Sequence, residues 1–104
     1  MSSRLFRQLE DVCMSLGGSF RKYLKRAVCT FDVKGVRYRL TLHEPDFLEF
    51  IRPLPPSGEL TDILDMDNVA DIRESADGSS IIIETSEGLI VLDKTTGTFH
   101  LKVS

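Results

Sequence analysis

Three stretches of this chain carry residue types and spacings that could do chemistry. The first is acidic, "ELTDILDMDNVADIRESAD" (59–77), with seven carboxylates and one arginine. Carboxylates at that density can hold a hard cation, face a basic partner, or form the solvated side of an ordinary element. Set on a calcium loop, Asp65, Asp67 and Val69 take the first, third and fifth positions. Ala70 then stands where that loop needs glycine, and Ala76 where it needs a bidentate glutamate, so the pattern reads against calcium. A surface for a basic protein partner is the sharper reading, built on Glu59, Asp62, Asp65, Asp67, Asp71 and Glu74.

The second stretch is basic, "RKYLKRAVCTFDVKGVRYR" (21–39), with seven Lys/Arg against one Asp and with Tyr23, Phe31 and Tyr38 interleaved. Cations bind phosphates by releasing counterions, and aromatic rings stack on bases. Arg21, Lys22, Lys25, Arg26, Arg37 and Arg39 therefore form an alternative, nucleic-acid-binding set. Against it stand a pI near 5.3 and the alternation of Phe31 and Tyr38 with core-type residues. The third is His43, beside Glu44 and Asp46, which could serve as a base or ligand in a small enzyme or carrier. A Cys29–His43 nucleophile pair is a further option, but alternation turns Cys29 toward the core, where a thiol is inert.

Other motifs are missing. No phosphate-cradling glycine loop, dinucleotide fingerprint or paired-cysteine zinc pattern occurs, so no cofactor and no metal is expected. Cys13 and Cys29 read as small buried hydrophobes in a protein of the reducing cytosol. A disulfide between helix and strand is compatible with their positions, but nothing in the sequence calls for one. "MSSRLFRQLEDVC" lacks the apolar core of a signal peptide. No apolar run approaches the ~18 residues needed to span a membrane.

The elements that must position these groups follow from periodicity. The 104 residues, 41% hydrophobic and 28% charged, suit one α+β domain over 1–104. Leu5, Leu9, Val12, Leu16, Phe20 and Leu24 mark a helix over 4–25, capped by Ser2 or Ser3. Gly17-Gly18 should kink it or divide it into 4–16 and 19–25. Residues 27–43 predict a hairpin with a two-residue Lys34-Gly35 turn. That register pairs Val33 with Val36, Phe31 with Tyr38 and Cys29 with Leu40 on one face, and Asp32 with Arg37 and Thr30 with Arg39 on the other. Pro45 and the carboxylates around it predict a helical turn over 44–51, stopped by Pro53. Pro55-Pro56-Ser57-Gly58 is a connector. Leu60, Ile63 and Leu64 suggest a short amphipathic helix or loop.

Runs at 69–75, 79–86, 89–93 and 98–103 read as an antiparallel meander. Its core face is Ile81, Ile83, Ile90, Leu92, Phe99 and Leu101, with His100 facing away. A Glu87-Gly88 turn would set Thr85 opposite Ile90 and Ile83 opposite Leu92. A "KTTG" loop would set Leu92 opposite Phe99 and Ile90 opposite Leu101. "IIIETSEGLIVLD" should lie in the middle of the sheet, because it would aggregate on an edge. The expected architecture is a helix on an antiparallel sheet of five or six strands, in the order α-β-β-(short α)-β-β-β-β.

Charge adds one clue. The net charge of −3 divides into +6 over residues 1–39 and −9 over residues 40–104. That asymmetry points to charged partners or to attraction between the halves. The sequence thus predicts a small cytoplasmic, non-catalytic module that binds another protein, of immunity or inhibitor type. A homodimer through a sheet edge is compatible. A nucleic-acid-associated protein and a small enzyme or carrier near His43 are the alternatives.

Overall fold

A computed structural model of the protein describes residues 3–53, 61–96 and 98–102, with the side chains of 3, 52–53, 61–64 and 99–102 outside that description. The cap at Ser2, the connector at 55–58, Leu60 and Glu59 fall outside the described residues.

The stripe Leu5, Leu9, Val12 forms one side of a helix, α1 (Ser3–Ser15), and each of these side chains is buried. The helix stops where the glycines begin. Gly17 has φ +70°, the left-handed value that lets a helix close on itself. Gly17 N donates to Met14 O at 3.1 Å, and Gly18 N donates to Cys13 O at 2.9 Å. This bond pair satisfies the last carbonyls and turns the chain.

Residues 19–25, expected as a continuing helix, instead begin a sheet. Strand β1 (Ser19–Lys22) lies antiparallel to β2 (Arg26–Val33), with Phe20 opposite Cys29 and Lys22 opposite Ala27. The cause is local. A Cβ at Gly18 would meet the Thr30 carbonyl oxygen at 2.6 Å and Cys13 Sγ at 3.0 Å. Only glycine lets the backbone come that close, and the approach lays the next residues along β2. Leu24, at the end of the predicted helical stripe, is 89% exposed in the turn that follows β1.

The hairpin of β2 and β3 (Val36–His43) has the predicted register throughout, from Val33–Val36 to Cys29–Leu40. Lys34 (φ 51°) and Gly35 (φ 80°) supply the two positive φ values of its turn. Arg37 Nε donates to Asp32 Oδ1 at 3.1 Å, as the cross-strand pairing anticipates.

The next two segments depart from expectation. Residues 47–53 form a strand, β4 (Phe47–Pro53), instead of a helical turn, and β5 (Thr61–Met66) replaces the short helix or loop. β4 pairs with β3 on one side and β5 on the other. Leu48 and Phe50 point inward at 0% and 2% exposure. Pairing on both edges and burial of alternate residues outweigh the helix-start signals near Pro45.

The meander follows: β6 (Val69–Glu74), β7 (Ser80–Thr85), β8 (Gly88–Asp93) and β9 (Phe99–Lys102). Leu92 faces Phe99 and Ile90 faces Leu101, the predicted register. The β7–β8 register differs by two residues: the turn is Ser86-Glu87, so Ile83 faces Ile90 and Ile81 faces Leu92. Thr85 selects that turn, accepting from Glu87 N and donating to Gly88 O. A two-residue shift keeps each side chain on its face, so Ile81, Ile83, Ile90 and Leu92 are all buried as expected. The predicted core positions Phe99 and Leu101, and the outward His100, have side chains outside the described residues.

The α+β class is therefore as expected, but the described residues hold nine strands in two sheets, ordered β1-β2-β3-β4-β5 and β6-β7-β8-β9. β7 and β8 lie inside the second sheet, which keeps the aggregation-prone run off an edge. The inner faces of both sheets and α1 share one hydrophobic cluster.

Two devices hold α1 in place. Cys13 and Cys29 form a disulfide from α1 to β2, correcting the free-thiol expectation. Closing a loop of sequence separation 16 contributes about 3 kcal/mol through the unfolded chain. On the other side, α1 covers the edge strand β6: Arg4 donates to Ala70 O at 2.8 Å, and Gln8 Oε1 accepts from Ile72 N at 3.1 Å.

The two glycines can be separated experimentally. Gly17→Ala meets nothing within 4 Å and costs about 1–2 kcal/mol, for the left-handed backbone alone. Gly18→Ala must displace the Thr30 carbonyl, and urea unfolding should show the larger loss. Equal losses would contradict the close approach.

Candidate functional site

Alternation along β2, β3 and β4 buries one face of the five-stranded sheet and turns the other outward, with Thr41 buried at its centre. The pairings order this outer face into rows. One runs Arg21, Val28, Thr41, Glu49, Asp65 across the five strands. A neighbouring row holds Thr30, Arg39 and Ile51, and on the other side lie Arg26, His43 and Phe47. A groove of about 350 Å³ opens among Tyr23, Arg26, Val28, Arg39, Thr41, His43 and Glu49. The Arg26 guanidinium stacks on the Tyr23 ring at 4.7 Å, which holds both at the rim. The His43 ring lies 5.7 Å from that of Phe47.

Four of the six predicted basic residues, Arg21, Arg26, Arg37 and Arg39, share this face. Lys22 turns to the inner side, with Nζ 5.5 Å from the centre of the Phe6 ring. Lys25 lies in the β1–β2 turn. Arg37 is already committed: the hydrogen bond to Asp32 and that carboxylate's charge raise its pKa. Among the described residues Arg21, Arg26 and Arg39 form no ion pair.

The acidic run is divided. Glu59 lies outside the described residues, and Asp62 is placed only by its backbone, opposite Arg52. Asp65 is exposed on the outer face, directly opposite Glu49. Asp67 is exposed in the turn between β5 and β6. Asp71 and Glu74 belong to the other sheet and face the molecule's own groups. Asp71 accepts from Arg73 at 2.6 Å and from Gln8 at 2.8 Å. Glu74 accepts from Lys94 Nζ and Ser15 Oγ. These two carboxylates therefore clamp α1 and a neighbouring turn to β6.

Their titration reflects those contacts. Burial raises the Asp71 pKa, but hydrogen bonds from Arg73 and Gln8 and the charges of Arg73 and Arg4 outweigh it, so the net shift is downward. Lys94, then Ser15, lowers Glu74. In the β6–β7 turn, the Ser75 hydroxyl and the Ser79 amide and hydroxyl lower Asp77 to about 2.

His43 is half-buried and lines the groove. Cys29 cannot act as its nucleophile, because it is bonded to Cys13. Among the described residues no three His, Cys, Asp or Glu side chains are grouped to hold a metal ion. A larger open concavity, about 550 Å³, lies beside Gly17–Ser19, but its charged lining residues, Asp32 and Arg37, are bonded to each other. Among the described residues no helix is long and apolar enough to cross a membrane. The sequence reading missed Glu49, Phe47 and Ile51 as members of the outer face, because it placed them on a helical turn. No family model, curated protein or solved structure matches the chain.

The lowered carboxylates fix the sign of a pH effect. Their stabilisation is present above the unfolded values and is lost as pH falls through the folded ones. For Asp77 that window runs from 3.8 down to about 2. The stability difference between the wild type and Asp77→Asn should be full at neutral pH and close across this window in acid unfolding curves. A difference unchanged by pH would contradict the turn geometry.

Proposed function

We propose that this protein is a non-catalytic binding module that acts through protein–protein contact, with the outer face of the five-stranded sheet as its contact surface. The observation that carries this reading is the charge split of that face. Arg21, Arg26 and Arg39, without an ion pair among the described residues, lie on its β1–β3 side, and Glu49 opposes Asp65 on its β4–β5 side. Like charges directly opposite across strands are destabilising, and a partner bearing cations relieves them. The half-buried Val28, Phe47 and Ile51 form the apolar middle. Tyr23 and Leu24, 45% and 89% exposed, stand at the rim. Tyrosine and arginine around an apolar middle match the make-up of protein interfaces.

The inhibitor or immunity-type role is the finer version of this reading, with Glu49, Asp65 and Asp67 as the carboxylates a basic partner would meet. Asp71 and Glu74 support it less, since both are engaged within the fold. The nucleic-acid reading gains from the placement of Arg21, Arg26 and Arg39 on one face. It loses from the two carboxylates beside them, which repel phosphates. The disulfide favours an oxidising compartment over the cytoplasm.

The test compares the wild type with Arg39→Glu and Glu49→Arg, using Glu87→Lys as a remote control. A specific protein contact should weaken in both face variants and persist in the control, with nuclease treatment having no effect. A mobility shift of generic RNA or DNA at low salt, abolished by Arg39→Glu, would overturn the protein reading in favour of nucleic acid.

A further inference from the structure

We infer that the outer face is self-complementary, and that the protein partner it takes is a second copy of this chain. The inference rests on the contact surface proposed above and names its occupant. Positive charge lies toward β1–β3, negative charge toward β4–β5, and the boundary runs along the strands between β3 and β4. A twofold axis in the interface, parallel to the strands at that boundary, exchanges the two halves. Each positive half then lies over the negative half of the other copy. A twofold axis across the strands would instead set like charge on like charge, so the charge pattern selects one of the two arrangements.

The register gives the contacts. Thr41 lies opposite Glu49, and Arg39 is two residues along the same strand. In the twofold arrangement β3 crosses over β4 of the other copy, and Arg39 reaches Glu49 of the partner subunit. Arg26, further from the axis on β2, reaches Asp65 of the partner subunit. Facing sheets pack about 10 Å apart, a gap that arginine side chains span. On the same axis β4 lies over β3 of the other copy, so Phe47 faces His43 of the partner subunit and Ile51 faces the stem of the partner's Arg39. Arg26 is held in advance by Tyr23, so less of its freedom is lost on docking.

Sedimentation velocity on the purified full chain tests this across protein concentration at low and high salt. The expected result is a dimer that weakens with salt. Arg39→Glu and Glu49→Arg should each weaken it at least about tenfold, and the double exchange should restore it. Arg26→Glu and Asp65→Arg, both at exposed positions, repeat the test should Glu49→Arg not fold, with circular dichroism as the check. A wild type that stays monomeric, or single variants that dimerise equally well, would overturn the inference. So would a double exchange that fails to recover. If the wild type is monomeric while a different protein binds and is lost on Arg39→Glu, self-association falls and the contact surface stands. If no protein contact depends on Arg39 or Glu49, both fall.

Discussion

The fold depends on the place where α1 meets β2. Gly18 lies so close to the Thr30 carbonyl and Cys13 Sγ that no other residue fits there without a shift. The Cys13–Cys29 bond fixes the same junction covalently. Together they stop the helix, reverse the chain and lay Ser19–Lys22 along β2. That added strand brings Arg21 and the Tyr23–Arg26 pair to the outer face. The other side of α1 shields the edge of β6 through Arg4 and Gln8 and carries the first sheet's core into the second. One helix thus organises both sheets, and its end determines the composition of the solvent face.

How much of this was legible depends on whether local and tertiary signals agreed. In the β2–β3 hairpin they did: a two-residue turn, alternating burial and the Asp32–Arg37 pair all required one register, and that register forms. The loop before β9 was legible for the same reason. In β4 they conflicted. Pro45 and its neighbouring carboxylates resemble a helix start, and Phe47, Leu48, Phe50 and Ile51 are apolar in a pattern that fits a helix or a strand buried on both edges. Only the neighbours β3 and β5 decide it. The turn before β8 lay one residue from its expected place, which shifts the register by two, because Thr85 directs it, a side-chain effect invisible to hydrophobic pattern. The disulfide could not be read from two cysteines 16 residues apart, since only the folded junction brings them together.

The candidate site was legible in parts but not as a surface. The arginines of the basic run were identifiable, and four of them do share a face. Their meaning changes because residues 47–53 and 61–66 complete the sheet and place Glu49 and Asp65 beside them. Of the acidic segment, read separately from the basic one as a rival partner site, Asp65 shares a sheet face with these arginines. Part of the acidic run proves to be structural, since Asp71 and Glu74 hold α1 in place. The overall asymmetry of +6 against −9 is therefore partly satisfied inside the fold and partly displayed on one face.

What distinguishes the proposal is that a second copy of the chain covers this charge-split face. Hydroxyl-radical footprinting at low and high protein concentration reads it most directly, because it reports side-chain exposure residue by residue. Tyr23, His43 and Phe47 should lose reactivity as concentration rises, while Met14, 70% exposed on α1, stays constant. Unchanged reactivity at Tyr23, His43 and Phe47, or protection centred on Met14, would contradict the account.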